Sequence, residues 1–432
     1  MTPAIPGVIP CLPGRRRSAR LANGLEICLL ENRQAPVVTT ALYYRGGTRD
    51  EPAGHGGVAH FLEHMMFKGS SRYGPGEIDR RTQALGGANN AFTSHDATAY
   101  YFNFAADRWT EALAIEADRM AGLTLDPEHV ASERQVILEE IAMYDNEPWD
   151  ALEIAVQARL FASHPYGRPV LGTRRELMAT GERDLRRFYS RFYRPDNAVL
   201  VVAGDVGDEA LQEAERFLGR LPPGAPGGRG SLRRAGPTPP TSLPRSLARL
   251  ERRKGEVARM MLALPAPSGM DPDHPAVRLL ATLLGGGRTS RLHRSLVDED
   301  KLCVWVTADV TEGLDAGHIT IAAEVVPGVA PARVEAQVLR HLEDLLSAPL
   351  AAEEVERARQ VAVADWVFAH ERVQQQALSL GGALALFDPE HLERQMQLLL
   401  AAGRERLLET AARYFRPLSG AVIGWSLPRA DG

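Results

Sequence analysis

Cysteine is scarce in this chain: 432 residues contain three, Cys11, Cys28 and Cys303. They are too few and too far apart to staple a secreted domain or build a thiolate metal site, so a reducing, cytoplasmic setting is expected. Long apolar runs are missing as well. No stretch approaches the ~20 residues of a membrane-spanning helix. The opening MTPAIPGVIPCLPGRRRS places its basic cluster after its short apolar stretch, the reverse of a secretory signal. Neither sign of charge is in marked excess: 50 Lys+Arg against 55 Asp+Glu leave a formal −5. That balance gives no overall pull toward nucleic acid or acidic membranes, and neither is expected as a partner.

What the chain does have is ordinary globular composition, 44% apolar and 24% charged, at a length that calls for two or more domains. Residues 221–244, LPPGAPGGRGSLRRAGPTPPTSLP, break every periodic pattern and read as a linker. The expected organisation is an N-terminal arm over 1–17, one domain over 18–220, the linker, and a second domain over 245–432. In the first domain Asn23-Gly24 sits between strand-like residues and signals a hairpin. A strand is expected over 37–44, and others over 91–94, 98–105 and 198–204. Helical patterns occupy roughly 57–68, 76–85, 109–123, 127–146, 150–161 and 182–192. Strands mixed irregularly with helices argue for an α+β class rather than a doubly wound sheet.

The second domain repeats that order. Strands are expected near 247–252, 257–264, 304–311, 318–325 and 421–425, with helices over 274–284 and 289–297, the first of these ended by Gly285-Gly286-Gly287. Laying Val58-Ala-His-Phe-Leu-Glu-His-Met over Val277-Arg-Leu-Leu-Ala-Thr-Leu-Leu pairs two helices in equivalent places and Ser71-Arg72 with Ser290-Arg291. This pattern indicates an old duplication. Only the first copy then carries chemistry, because Leu279, Thr282 and Leu283 replace the polar trio.

That trio is His60, Glu63 and His64. Imidazoles at i and i+4 stack on one helix face, where both can reach a single ion, and zinc is the natural occupant. Glu63 projects toward the same place and can take a proton from a water held there. The order is HxxEH, the inverse of the zincin motif. Chance would place it roughly 0.03 times in such a chain, so it is not read as an accident. A catalytic zinc usually has three protein ligands and one open position, so a third ligand must come from elsewhere. The helix Glu128-His-Val-Ala-Ser-Glu133-Arg-Gln-Val-Ile-Leu-Glu139-Glu140 offers candidates, and Glu133 and Glu140, seven apart, share a face. Spacing alone does not choose among Glu133, Glu139 and Glu140.

GGVAHFLEHMMFKGS, then GGANNAFTSHDATAYYF, then ERQVILEEIAMYDNEP resemble, in order and spacing, the pitrilysin, insulinase and mitochondrial-processing-peptidase family of inverted zincins. RFYRPDNAVLVVAGDV, residues 191–206, resembles the family's closing strand. The resemblance implies two homologous α/β-sandwich domains, each a mostly antiparallel sheet covered by helices, forming half of a clam-like chamber. It implies one zinc ion per chain, held by His60, His64 and Glu140, with Glu63 as the catalytic base and Glu133 as the auxiliary glutamate. It also implies that Asn90, Ala91, Phe92 and Thr93 form an edge strand that pairs with an extended peptide backbone. The implied activity is a zinc endopeptidase acting on short or unfolded polypeptides.

One departure shapes the expectation. Family members usually bring an arginine and a tyrosine, seven residues apart, to the substrate from the second half or from a partner chain. Here Val297 and Val304 occupy those places, and neither side chain donates a hydrogen bond. A heterodimer is therefore expected, in which a homologous partner subunit lacking HxxEH supplies the Arg/Tyr pair. The competing readings are a non-catalytic core or processing-complex subunit, which would tend to lose the zinc residues, and a peptide binder that would not need Glu63. His55 fits no ligand spacing, and His95, beside the proposed edge strand, reads as a solvated loop residue.

Overall fold

The computed structural model describes residues 11–224, 247–253, 255–347, 350–416 and 420–428. Residues 1–10 of the expected arm and the linker from 225 onward lie outside the described residues.

The first sheet contains β1 (Arg15–Arg20), β2 (Glu26–Glu31), β3 (Val37–Tyr44), β4 (Ala88–Thr93), β5 (Thr98–Ala105) and β6 (Ala198–Gly204), in the order β1-β2-β6-β3-β5-β4. Every neighbour is antiparallel except the β2/β6 pair. The helices of this half are α1 (Val58–Met65), α2 (Glu77–Ala84), α3 (Thr110–Gly122), α4 (Pro127–Asn146), α5 (Pro148–Leu160), α6 (Arg174–Ala179), α7 (Glu182–Phe192) and α8 (Glu209–Leu218). Asn23-Gly24 makes the β1/β2 hairpin, with Gly24 at φ +94° and its N–H donating to the Leu21 carbonyl at 2.9 Å. β1 begins at Arg15, so residues 15–17, expected in an arm, belong to the sheet, and Arg17 pairs with Glu31 at 3.1 Å. α6 was too short to show a period; its signal is the capping box formed by Thr173 and Glu176.

The second half contains β7 (Ala248–Arg253), β8 (Arg259–Ala266), α9 (His274–Gly285), β9 (Cys303–Thr311), β10 (Gly317–Val325), α10 (Pro331–Ser347), α11 (Ala352–Ala369), α12 (Val373–Leu386), α13 (His391–Ala401), α14 (Arg404–Tyr414) and β11 (Val422–Leu427). Its sheet runs β7-β11-β8-β10-β9 and again has one parallel pair, β7/β11. Strand for strand this is the β2-β6-β3-β5-β4 order of the first sheet, which is the duplication read from the sequence. The repeat extends to α4 and α11. Aligned on their first residues, Pro127 and Ala352, they match Val130 with Val355 and Arg134-Gln135-Val136 with Arg359-Gln360-Val361. In that register Asp365 stands where Glu140 does. The helix expected over 289–297 is instead a π-helical turn, His293–Glu299.

The central strands of each sheet are apolar on both faces, as their sequences require: β6, AVLVVAG, is buried at every residue. One face of each sheet is covered by helices of its own half. The other is covered by a helix from the opposite half. Leu152, Val156 and Leu160 of α5 pack on Met261, Ala263 and Val422 of the second sheet. Ala377, Leu380 and Leu384 of α12 pack on Cys28, Tyr43 and Val201 of the first. Polar contacts fix the second packing: the Tyr43 hydroxyl donates to the Leu378 carbonyl at 2.8 Å, and Arg45 donates to the Ala385 and Leu384 carbonyls at 2.9 and 3.2 Å, capping the end of α12. Gly381 lies so close that a Cβ there would stand 2.3 Å from the Tyr43 ring, whereas at Gly382 a Cβ meets nothing within 4 Å. Both replacements by alanine gain the same helix propensity, up to about 1 kcal/mol. In urea unfolding, Gly382→Ala is expected to be stabilising and Gly381→Ala destabilising by about 1–3 kcal/mol, the usual range for overpacking; equal midpoints would contradict this packing.

Candidate metal centre and substrate cleft

α1 carries the polar trio on a short, firmly anchored helix. Val58, Ala59, Phe61, Leu62 and Met65 are buried, leaving 60, 63 and 64 on the opposite side. Glu51 caps the helix, accepting from the N–H groups of Gly57 and Ala59 at 3.0 and 2.9 Å. Burial pushes the Glu51 carboxyl up to about 8, against those two hydrogen bonds. Gly57 takes a left-handed conformation, φ +87°, in contact with Leu171, which no other residue would tolerate there.

α4 supplies the third member of the group. It starts at Pro127 behind an Asp126 cap that accepts from Glu128 and His129. The Glu140 Oε2 atom lies 3.8 Å from His60 Nε2 and 3.7 Å from His64 Nε2. These separations are too long for hydrogen bonds and close to the ~3.3 Å edge of a tetrahedron with 2.0–2.1 Å metal–ligand bonds. Among the described residues this is the group of three whose ligand atoms all lie within 4.8 Å of one another. Glu140 Oε2 is buried without a hydrogen-bond partner, an acceptor left for a cation. Of the three glutamates that spacing left open, Glu140 joins the two histidines, Glu139 is exposed on the outer side of α4, and Glu133 faces inward one step behind the group. The donor set of two imidazole nitrogens and one carboxylate oxygen suits zinc.

Glu133 accepts from His64 Nδ1 at 2.8 Å and from Lys68 Nζ at 2.7 Å. The first contact turns His64 Nε2 toward Glu140 and fixes the tautomer. Burial works to raise the Glu133 carboxyl, but the hydrogen bonds from His64 and Lys68 prevail and hold it below the ordinary carboxylate value. Lys68 was not singled out from the sequence, although its place four residues after His64 is the available signal. Burial and the neighbouring His64 push His60 down to about 3, so its ring is neutral and able to ligate. Burial also raises Glu63 and Glu140, in the latter case with Glu133 adding to it.

Glu63 reaches across to β4, where Thr93 Oγ1 donates to its Oε2 at 2.5 Å. Among the described residues β4 pairs with β5 alone, which leaves its other edge open. Asn90 and Phe92 are exposed, while Ala91 and Thr93 are half-buried. Phe92 is therefore not a core aromatic; it leans edge-on against Tyr43 with ring centres 6.0 Å apart. A cleft of about 650 Å³ brings together His60, Glu63, His64, Glu140 and residues 91–93, and is walled by Tyr144, by Asp150, Glu153 and Gln157 of α5, and by 169–174. These wall residues carry no local motif and were not anticipated. His95 does not belong to the cleft surface as a solvated residue. It bonds Thr48 Oγ1 at 2.7 Å and Gln157 at 3.3 Å and stacks on Tyr166, and burial pushes it down to about 4. His55 faces Asp184 at 3.8 Å, away from the trio. Val297 packs against the second core and Val304 is 53% exposed on β9.

Residues 27–174 match the family model described as insulinase, peptidase family M16, and residues 182–361 match the one described as the peptidase M16 inactive domain. The second description accords with the loss of HxxEH from the second copy. An uncharacterized zinc protease of Rickettsia bellii is 28% identical over 416 residues, 94% of this chain and 97% of that one. The Bacillus subtilis uncharacterized zinc protease YmxG is 30% identical over 302 residues, 69% of this chain and 71% of that one. The crystal structure of a protease from Helicobacter pylori has the same fold, with a TM-score of 0.90 at 24% identity, covering 97% of this chain and 100% of that one. Among the described residues no helix is long and apolar enough to cross a membrane.

The assignment of ligands is open to direct measurement. By elemental mass spectrometry of metal-replete protein, Glu140→Gln is expected to lose bound zinc and Glu139→Gln to keep it. Glu133→Gln and Lys68→Met are expected to weaken zinc binding by about 10–100-fold in chelator competition.

Proposed function

The chain belongs to the insulinase family, peptidase family M16, and from that premise we propose that it is a zinc-dependent endopeptidase that cuts short or unfolded polypeptides. The observation that carries this reading is the convergence of His60, His64 and Glu140 beside Glu63, with Glu63 tied through Thr93 to the open edge of β4. One zinc per chain would be held by the three ligands, and would lower the pKa of a water and polarise a peptide carbonyl. The residues of the chain do the rest. The backbone groups that 90–93 turn to the outer edge, away from β5, would pair with an extended backbone, which admits unfolded segments with little regard to sequence. Glu63 takes the proton of the attacking water at its carboxylate and returns it to the departing amine. Its elevated affinity for protons, caused by burial, suits that double role. Glu133 and Lys68 keep His64 oriented throughout.

The heterodimer is part of the proposal. It rests on Val297 and Val304, which put no hydrogen-bond donor where the family places its arginine and tyrosine. A homologous subunit would supply that pair and close the chamber over the cleft. The cytoplasmic setting is proposed from cysteine usage, since all three cysteines are free and Cys28 and Cys303 are buried. A non-catalytic role is disfavoured by the intact four-residue constellation.

Glu63→Gln is expected to lower hydrolysis of an unstructured fluorogenic peptide by about 10²–10⁴-fold, the contribution of a general acid–base, while zinc content stays at one per chain. A peptide binder would be indifferent to the change. For the partner, the purified chain alone is expected to be slow, and addition of a homologous subunit bearing the Arg/Tyr pair to raise the rate. Full activity from the isolated chain would remove the heterodimer from the proposal.

A further inference from the structure

The turns that join the last two strands at the edge of each sheet are equivalent in the repeat, and they meet. Residues 94–97 link β4 to β5, and 312–316 link β9 to β10. The Leu314 N–H donates to Asp96 Oδ2 at 3.0 Å, and the Asp315 N–H donates to the Tyr166 hydroxyl at 3.0 Å. That hydroxyl in turn lies 2.7 Å from both Asp96 oxygens, to which it donates. Arg49 bridges the two aspartates, with Nη1 2.9 Å from Asp96 and Nη2 3.1 Å from Asp315. His164 Nε2 adds a contact to Asp315 at 3.2 Å. Arg49, Asp96 and Asp315 are all buried, with side-chain exposures of 3%, 6% and 0%. Gly313 is needed at the tip, because a Cβ would stand 2.9 Å from the Tyr166 ring and 2.3 Å from the Ala316 carbonyl.

A buried ionic cluster adds little net stability over apolar packing, yet removing one member leaves a charge uncompensated. What such a cluster does well is fix one arrangement. Here the arrangement is that of the 94–97 turn. The Thr48 and Arg49 N–H groups hold the Ser94 and His95 carbonyls at 3.1 and 3.0 Å, and Ser94 closes on Ala97 at 2.8 Å. Three residues upstream of Asp96 is Thr93, the residue that grips Glu63.

We infer that the second domain, which has no metal ligands of its own, is a positioning element for the first: Asp315 and Leu314, acting through Asp96, Arg49 and Tyr166, hold the 94–97 turn and thereby keep Thr93 on Glu63 and the open edge of β4 beside the ligand triad. This rests on the reading of β4 as the strand that receives peptide. Asp315 and Tyr166 touch no reacting atom and act only through β4.

The test uses the full chain with Asp315→Ala and, as a milder change that removes only a hydroxyl, Tyr166→Phe. Three quantities are read: zinc content, hydrogen–deuterium exchange by segment, and kcat/KM on an unstructured peptide. Zinc content and the protection of α1 are expected to stay at wild-type levels. Exchange over 88–97 is expected to rise by about tenfold or more as that strand opens locally. kcat/KM is expected to fall by about 10²-fold with Asp315→Ala, the effect of an ångström-scale displacement at a reacting centre, and by less with Tyr166→Phe. Wild-type protection over 88–97 in both variants would overturn the inference. So would a loss of protection spread evenly over both sheets, which marks a contact that merely stabilises the fold. The exchange measurement does not depend on catalysis, so an unmutated chain that hydrolyses nothing even with a homologous subunit bearing the Arg/Tyr pair added would defeat the functional reading while the local change at 88–97 still decided this one.

Discussion

Each sheet of this protein is closed on its second face by a helix from the other half of the chain, and the rest of the structure depends on that exchange. A strand such as β6, with Val199 and Val201 facing one way and Leu200 and Val202 the other, cannot leave either side in water, since each such side chain contributes about 1.5–3 kcal/mol on burial. α12 covers Val199 and Val201, and α5 does the same for the second sheet. The exchange also builds the cleft. α5 turns Leu152, Val156 and Leu160 to the second sheet and Asp150, Glu153 and Gln157 to the substrate side. One wall of the cleft is thus the outer face of a helix whose inner face needs the second domain, so the cleft has its shape only when both halves are packed.

The candidate metal centre shows how close like charges are arranged without mutual repulsion driving them apart. Glu63, Glu133 and Glu140 converge on two imidazoles, and three carboxylates so near one another repel unless each has its own compensation. Lys68 and His64 hold Glu133, and the Thr93 hydroxyl takes one oxygen of Glu63. Of the three carboxylates, Glu140 is the one with an oxygen buried without a hydrogen-bond partner, and that Oε2 faces both Nε2 atoms, an arrangement that suits a divalent cation. The second copy of the repeat shows the same scaffold with this balance given up. Leu279 and Leu283 fill the core where the histidines stood, and Asp365 remains at the place of Glu140 without ligands to join.

Much of this was legible from local sequence because the relevant signals are local. HxxEH sets two imidazoles and a carboxylate within five residues of one helix, and Asn23-Gly24 marks the first hairpin by its need for a positive φ. The choice of Glu140 over Glu139 required the orientation of α4 against α1, since a spacing of seven puts 133 and 140 on one face but does not say which face is inward. The helix exchange was hidden for a related reason: an apolar stripe on α5 or α12 says that the helix is covered, not by which sheet. The Arg49, Asp96, Tyr166, Asp315 cluster joins residues 47 to 266 positions apart in the chain, each of which reads in the sequence as an ordinary polar loop residue. His95 misled for the same reason, since its partners Thr48 and Gln157 come from distant segments.

An open sheet edge is a hazard for a soluble protein, because its unpaired N–H and C=O groups pair with any extended chain. β1 is protected as an edge by its arginines, four in six residues, and β9 by Asp309 with Thr307 bonded to it. β4 has no such protection. Its sequence, ANNAFT, is short and uncharged, and its outer edge faces the cleft. A strand with an open edge lacks the ladder that would otherwise fix its second side, so its position must be set from its ends and from behind. Behind it stands β5, at one end the 94–97 turn with its buried ionic cluster, and on its face the Thr93 contact to Glu63. The open edge that the proposed function would use for an extended peptide is therefore also what calls for a rigid support at the turn, and the 312–316 turn of the second half meets it there.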